Sequence, residues 1–127
     1  MSYALRAMRA TVRRLHSPDV QELGEWEPED PTCFGLLVQA LVGPQDEPGE
    51  ESFDFLVCSP EWLAQTHGRE AAVLGRHHLL LFEYDFERIR AAIEAVVKKA
   101  EGKDWEEVAR AIARHGKWEF EDYGSSS

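Results

Sequence analysis

Residues 33–58, CFGLLVQALVGPQDEPGEESFDFLVC, hold two apolar runs either side of a string of chain breakers. In the first run, residues 33–42, Phe34, Leu36, Val38, Ala40 and Val42 occupy every second position. A strand with that pattern turns all five side chains to one face. Residues 51–58 alternate in the same way, with Phe53, Phe55 and Val57 inward and Ser52 and Asp54 outward. Between them, Gly43-Pro44-Gln45-Asp46-Glu47-Pro48-Gly49-Glu50 is turn material. The stretch predicts an antiparallel hairpin that brings Cys33 and Cys58 towards one end.

Upstream, residues 4–16 fit two patterns. Leu5, Met8, Val12 and Leu15 have helical spacing, whereas Met8, Ala10 and Val12 alternate with polar residues as in a strand. His16-Ser17-Pro18-Asp19 ends the element, because a residue before proline avoids the helical region. Residues 20–32 are acidic and bounded by prolines, and read as a loop carrying Trp26. Downstream, Ser59 caps and Pro60 opens a short helix that stops by Gly68. Residues 77–84, HHLLLFEY, suit a covered strand. Phe86, Ile89, Ile93, Val97 and Ala100 form one stripe of a helix over 85–101, ended by Gly102. Asp104-x-x-Glu107 resembles a capping box opening a last helix, with Trp105, Val108 and Ile112 inward and Gly116 at its end. If residues 4–16 are a strand, the order is β-β-β-α-β-α-α. That is an α+β fold: an antiparallel sheet of about four strands with helices on one face. One domain spans 1–123, and 124–127 make a loose tail.

The chain has 127 residues, 43% hydrophobic and 30% charged, which supports one ordinary core. It holds no run of about 18 apolar residues, so no membrane-spanning helix is expected. The arginines spread through its first residues do not resemble a secretory signal, which points to the cytoplasm. Charge is strongly segregated. Residues 1–18 carry +4, residues 19–61 carry −12 with no Lys or Arg, and residues 62–127 carry −2. A pI near 4.9 argues against nucleic-acid binding, which needs clustered Lys and Arg. An acidic third attracts a basic partner, unless it is only a solvated surface.

Chemical signatures are sparse. His77 and His78 point to opposite faces of a strand, and His16, His67, His115, Cys33 and Cys58 lack metal-ligand spacing, so no metal or other cofactor is implied. Two cysteines are too few for a disulfide framework. Cys58, before a helix N-terminus, is the one candidate nucleophile, with His67 or His77 as base. Arg76 enters an apolar strand and needs a carboxylate, which Glu119, Glu121 or Asp122 can supply if the C-terminus folds back. It is then either a strut or a partner contact. Trp118-Glu119-Phe120-Glu121-Asp122-Tyr123 either closes the core or offers aromatic anchors among acids.

Several of these landmarks recur together and in order: His16-Ser17-Pro18-Asp19, Phe53-x-Phe55-x-Val57-Cys58-Ser59-Pro60-Glu61-Trp62-Leu63, Gly75-Arg76-His77 and Trp118 to Tyr123. Together they resemble the immunity protein 8 family of bacterial polymorphic toxin systems, over about residues 5–123. The resemblance implies an α+β fold, a strand at 4–16 and a non-enzymatic role. Such proteins are encoded beside a toxin and protect the producing cell by binding it. The family's glycine-arginine pair falls on Gly75 and Arg76. From charge, the expected partner is a basic toxin, met by an acidic face of two segments. The 19–32 loop offers Glu25, Trp26, Glu27, Glu29 and Asp30, and the hairpin turn offers Asp46, Glu47, Glu50 and Glu51. A regulatory interaction module without a toxin is the alternative, and a small hydrolase using Cys58 or a histidine is a third reading. The sequence leaves the oligomeric state open.

Overall fold

The computed structural model describes residues 7–70, 72–73 and 75–121. Strands β1 (Met8–His16), β2 (Gly35–Pro44) and β3 (Glu51–Cys58) form the antiparallel centre of the sheet. The strand reading of the first element therefore holds, and the hairpin forms with Leu36 opposite Val57, Val38 opposite Phe55 and Ala40 opposite Phe53. Helix α1 (Pro60–His67) follows, then β4 (His78–Leu80), α2 (Phe86–Lys99), β5 (Glu101–Gly102), α3 (Trp105–Ala113) and β6 (Lys117–Trp118).

Two features of the expected sheet are corrected. It has six strands rather than about four, in the order β4-β3-β2-β1-β5 with β6 also on β3. It is also mixed, because β4 runs parallel to β3. The reason is local: α1 carries the chain back past the end of β3, so the next strand enters in the same direction. Of the expected strand at 77–84, only His78–Leu80 pairs. The remaining edge of β3 is taken by β6, which pairs Trp118 with Phe53 and Lys117 with Asp54. The element order becomes β-β-β-α-β-α-β-α-β. Gly102 does not end the long helix either. That helix stops at Lys99, and Gly102 pairs with Met8 instead.

The alternating residues build the core as expected. Phe34, Leu36, Val38, Ala40, Val42, Phe53, Phe55 and Val57 are all buried. They meet Ile89, Ile93 and Val97 of α2 and Val108, Ala109 and Ile112 of α3 in one cluster. Both helices start on aspartate caps: Asp85 accepts from the amides of Glu87 and Arg88, and Asp104 from that of Glu107. The capping box is modified, because Glu107 Oε1 accepts from Lys103 N rather than from the cap residue. Helix α1 is different. None of its residues is buried, and its Trp62 ring fills the space where a Gly35 Cβ would point, 2.2 Å away. Gly35 belongs to the alternate set, so Trp62 lies towards the face away from α2 and α3.

The C-terminal segment closes the core at β3. Trp118 stacks on Phe53 with centroids 6.4 Å apart. Glu51 stands opposite Val42, which puts its carboxylate on the inward face. There its Oε1 accepts from both indoles, Trp105 Nε1 and Trp118 Nε1, each at 2.8 Å. One carboxylate thus ties α3 and β6 to the hairpin. Hydrogen bonds to a charged group contribute roughly 1.5–3 kcal/mol each. Glu51→Leu should therefore destabilise the fold by about 2–4 kcal/mol in urea unfolding followed by tryptophan fluorescence. Glu51→Gln, which keeps an oxygen acceptor, should lose clearly less.

Candidate functional site

At the end of the sheet where β2 starts and β3 finishes, the 17–34 segment folds into a structured loop. Asp19 Oδ2 accepts from Leu37 N at 2.8 Å, filling the place that β1 no longer reaches on β2. Leu23 is buried in the core, and Trp26 rests edge-on against Tyr84, 5.2 Å between centroids. Tyr84 in turn meets Phe34 edge-on and donates its backbone amide to Pro31 O. The fully buried Ser59 joins this loop to α1: its Oγ accepts from Phe34 N and Trp62 N, both at 3.2 Å.

Between these supports runs an open groove of about 500 Å³, lined by both Trp26 and Trp62. Glu27, Glu29 and Asp30 lie along it, with Cys33 and Gln65 in its wall and, among the described residues, no Lys or Arg in its lining. Glu25, Glu27, Glu29 and Asp30 are exposed, while Trp26 is half-buried. Asp30 is fixed rather than floppy. Its Oδ1 accepts from Thr32 N at 2.9 Å and Thr32 Oγ1 at 2.8 Å, and these bonds hold its carboxyl below the usual range. Thr32 Oγ1 also lies 3.1 Å from Glu61 Oε2, so its one proton is shared between two carboxylates and a further acid is brought to the rim.

The local field is visible in its neighbours. Partial burial, then the charges of Glu61 and Asp30, push the Cys33 thiol up. Burial, then Glu27, pushes the Tyr84 phenol up. Cys58 sits fully buried under the sheet, and burial raises its thiol as well. The thiolate that a Cys58-based hydrolase requires is thus disfavoured and inaccessible. Among the described residues, no group of three His, Cys, Asp or Glu side chains is arranged to hold a metal ion.

The second expected acidic segment lies elsewhere. The hairpin turn joins the other ends of β2 and β3, and β2's ten residues separate it from the groove. At a rise of about 3.3 Å per residue that is roughly 30 Å. The single acidic face built from both segments is therefore not assembled. The turn is also partly neutralised. Arg13 folds over it, donating to the carbonyls of Gly49, Pro44 and Glu47, and Arg14 lies 3.7 Å from Glu50. Glu51 is held by the two indoles, while Asp46 and Glu47 remain exposed.

The remaining candidates divide in the same way. Glu119 accepts from Ser52 N and donates its own amide to Ser52 O, so it anchors the chain end to β3. Arg76 pairs with Glu121 at 3.1 Å and reaches the carbonyl of Ala113, which fits the strut reading. Asp122 lies outside the described residues, as do Tyr123 and the 124–127 tail. Sequence reasoning missed Trp62 as a groove wall. The signal was Gly35, whose missing Cβ leaves room for the ring.

The immunity protein 8 family model matches residues 10–123, most of the chain. The chain belongs to the immunity protein 8 family. Membership implies an immunity protein of a toxin system, with a cognate toxin as partner. The immunity protein 8 match runs through β1, the acidic loop, the groove and the C-terminal closure. No curated protein and no solved structure matches the chain. Among the described residues, no helix is long and apolar enough to cross a membrane.

The groove's field has a direct readout at Cys33. Its raised thiol holds less thiolate at pH 8 than a small-molecule thiol does, so iodoacetamide should modify it more slowly. Glu61→Gln removes a charge that opposes ionisation and should speed the reaction at fixed pH. Cys58 should react only on unfolding.

Proposed function

We propose that this immunity protein neutralises its toxin in the cytoplasm by stoichiometric binding, with the Trp26–Trp62 groove as the contact surface. The observation that carries this reading is the combination of two tryptophan rings with a carboxylate rim that, among the described residues, contains no Lys or Arg. Aromatic side chains in partly desolvated pockets supply most of the energy in protein interfaces, and surrounding charge selects and steers the partner. The toxin surface is then basic, as it would be on an enzyme that itself handles phosphate. Glu25, Glu27, Glu29 and Asp30 steer it, while Trp26 and Trp62 anchor it. Asp46, Glu47 and Glu50, at the far end of the sheet, add to the long-range field without touching this partner. The protein performs no reaction of its own in this reading. A regulatory module without a toxin is separated from it by the neighbouring gene: a toxin encoded there supports immunity.

Co-expression with that gene's product should yield a stable complex. Association should slow as salt rises, because the steering field is screened over about 8–10 Å at physiological ionic strength. The triple variant Glu27→Lys, Glu29→Lys, Asp30→Lys should reduce the association rate by about tenfold or more. Trp26→Ala should act mainly on dissociation. An association rate indifferent to salt and to charge reversal would remove the groove from the interface.

A further inference from the structure

The helical layer carries a second concavity of opposite character, which shares no lining residue with the acidic groove. It is a half-enclosed cavity of about 200 Å³ with an apolar floor of Phe55, Leu79, Ile93 and Val96. Its walls are Arg76, His77, His78, Arg114 and His115, with the Glu121 carboxylate paired to Arg76. Through Val96, Arg114 and His115 it continues into a shallower cavity of about 240 Å³ between α2 and α3, where Lys99 is the only further charged residue. In a chain with a net charge of −10, a lining that gathers two arginines and three imidazoles around one described carboxylate is more basic than the molecule as a whole.

The wall is built, not incidental. His77 has a left-handed backbone, with φ of 70°, in a residue that has a Cβ. Such a conformation is strained and persists only where its surroundings impose it. Here Leu56 N donates to His77 O at 2.9 Å, and Arg76 is braced by Glu121 and by the Ala113 carbonyl. His77 Nε2 and His78 Nδ1 are buried with no hydrogen-bond partner, the former 3.8 Å from Glu121 Oε1. Arg114 is exposed and makes no ion pair with a described residue, so its guanidinium is available to a ligand.

We propose that this cavity binds a small amphipathic anion, a carboxylate on a short apolar body. The body would cover Phe55, Ile93 and Val96, while the carboxylate meets Arg114 and the imidazoles at the mouth. Pockets with an apolar floor and a few convergent polar groups are the usual form of small-ligand sites. A guanidinium is the best match to a carboxylate. The basic lining excludes the cationic toxin surface assigned to the groove, so the two sites select opposite partners.

The test is a titration of the histidine ring resonances with octanoate, octanol and octylammonium, which share one apolar body and differ in head group. Octanoate should shift the rings of His77, His78 and His115 saturably. Octanol should bind at least about tenfold more weakly, and octylammonium more weakly still. Arg114→Gln, at an exposed position, should weaken octanoate by a similar factor without lowering the thermal midpoint. Affinity independent of head-group charge, affinity unchanged in Arg114→Gln, or shifts that stay linear up to the solubility limit would overturn the proposal.

Discussion

The register of the β2–β3 hairpin constrains everything else in the molecule. Because side chains alternate across a strand, pairing Leu36 with Val57 and Val38 with Phe55 commits every residue of both strands to a face. One face becomes the floor on which α2 and α3 rest. A slip of one residue would expose Phe53 and Phe55 and bury Ser52 and Asp54. The same register carries Glu51 inward with the phenylalanines, and an inward carboxylate is tolerable only if it is well bonded. Two indole donors on a single oxygen meet that need.

Function follows from the polarity of the hairpin. Its closed end holds the turn, crossed by Arg13. Its open end holds the loop, α1 and the groove. The chain is thus acidic at both ends of its sheet, and the open end joins its carboxylates to Trp26 and Trp62 in one groove. A cleft rigidified by Ser59, Asp19 and Asp30 costs little entropy to present to a partner. The cationic cavity between the helices uses the other layer of the fold, so the two surfaces differ in charge as well as in place.

Some of this was legible before any coordinates. The hairpin, the stripe of α2, the Ser59 and Asp104 caps and the pairing of Arg76 with an acid of the C-terminal segment all rest on short-range rules. Those rules concern alternation, helical period, a side chain near a free amide and a charge entering an apolar strand. Family membership was legible too, from landmarks spread along the whole chain. Glu51 shows the limit of such reading. Its parity already placed it with Phe53 and Phe55, yet its place in an acidic run made it look like a surface residue. The missing fact was that Trp105 and Trp118, more than fifty residues away, would arrive above it.

By itself the sequence determined the β2–β3 hairpin, the helices, the Ser59 and Asp104 caps, the inward faces and the segregation of charge, because each depends on neighbours within a few residues. Only the tertiary structure decided which charges share a surface. It put the length of β2 between two acidic segments that follow one another closely in the chain. It turned β4 parallel, and it gathered Arg76, His77, His78, Arg114 and His115 around one cavity. The physical reason is that electrostatic surfaces are set by distances in space, and those depend on the direction in which each strand runs and on which helix crosses it.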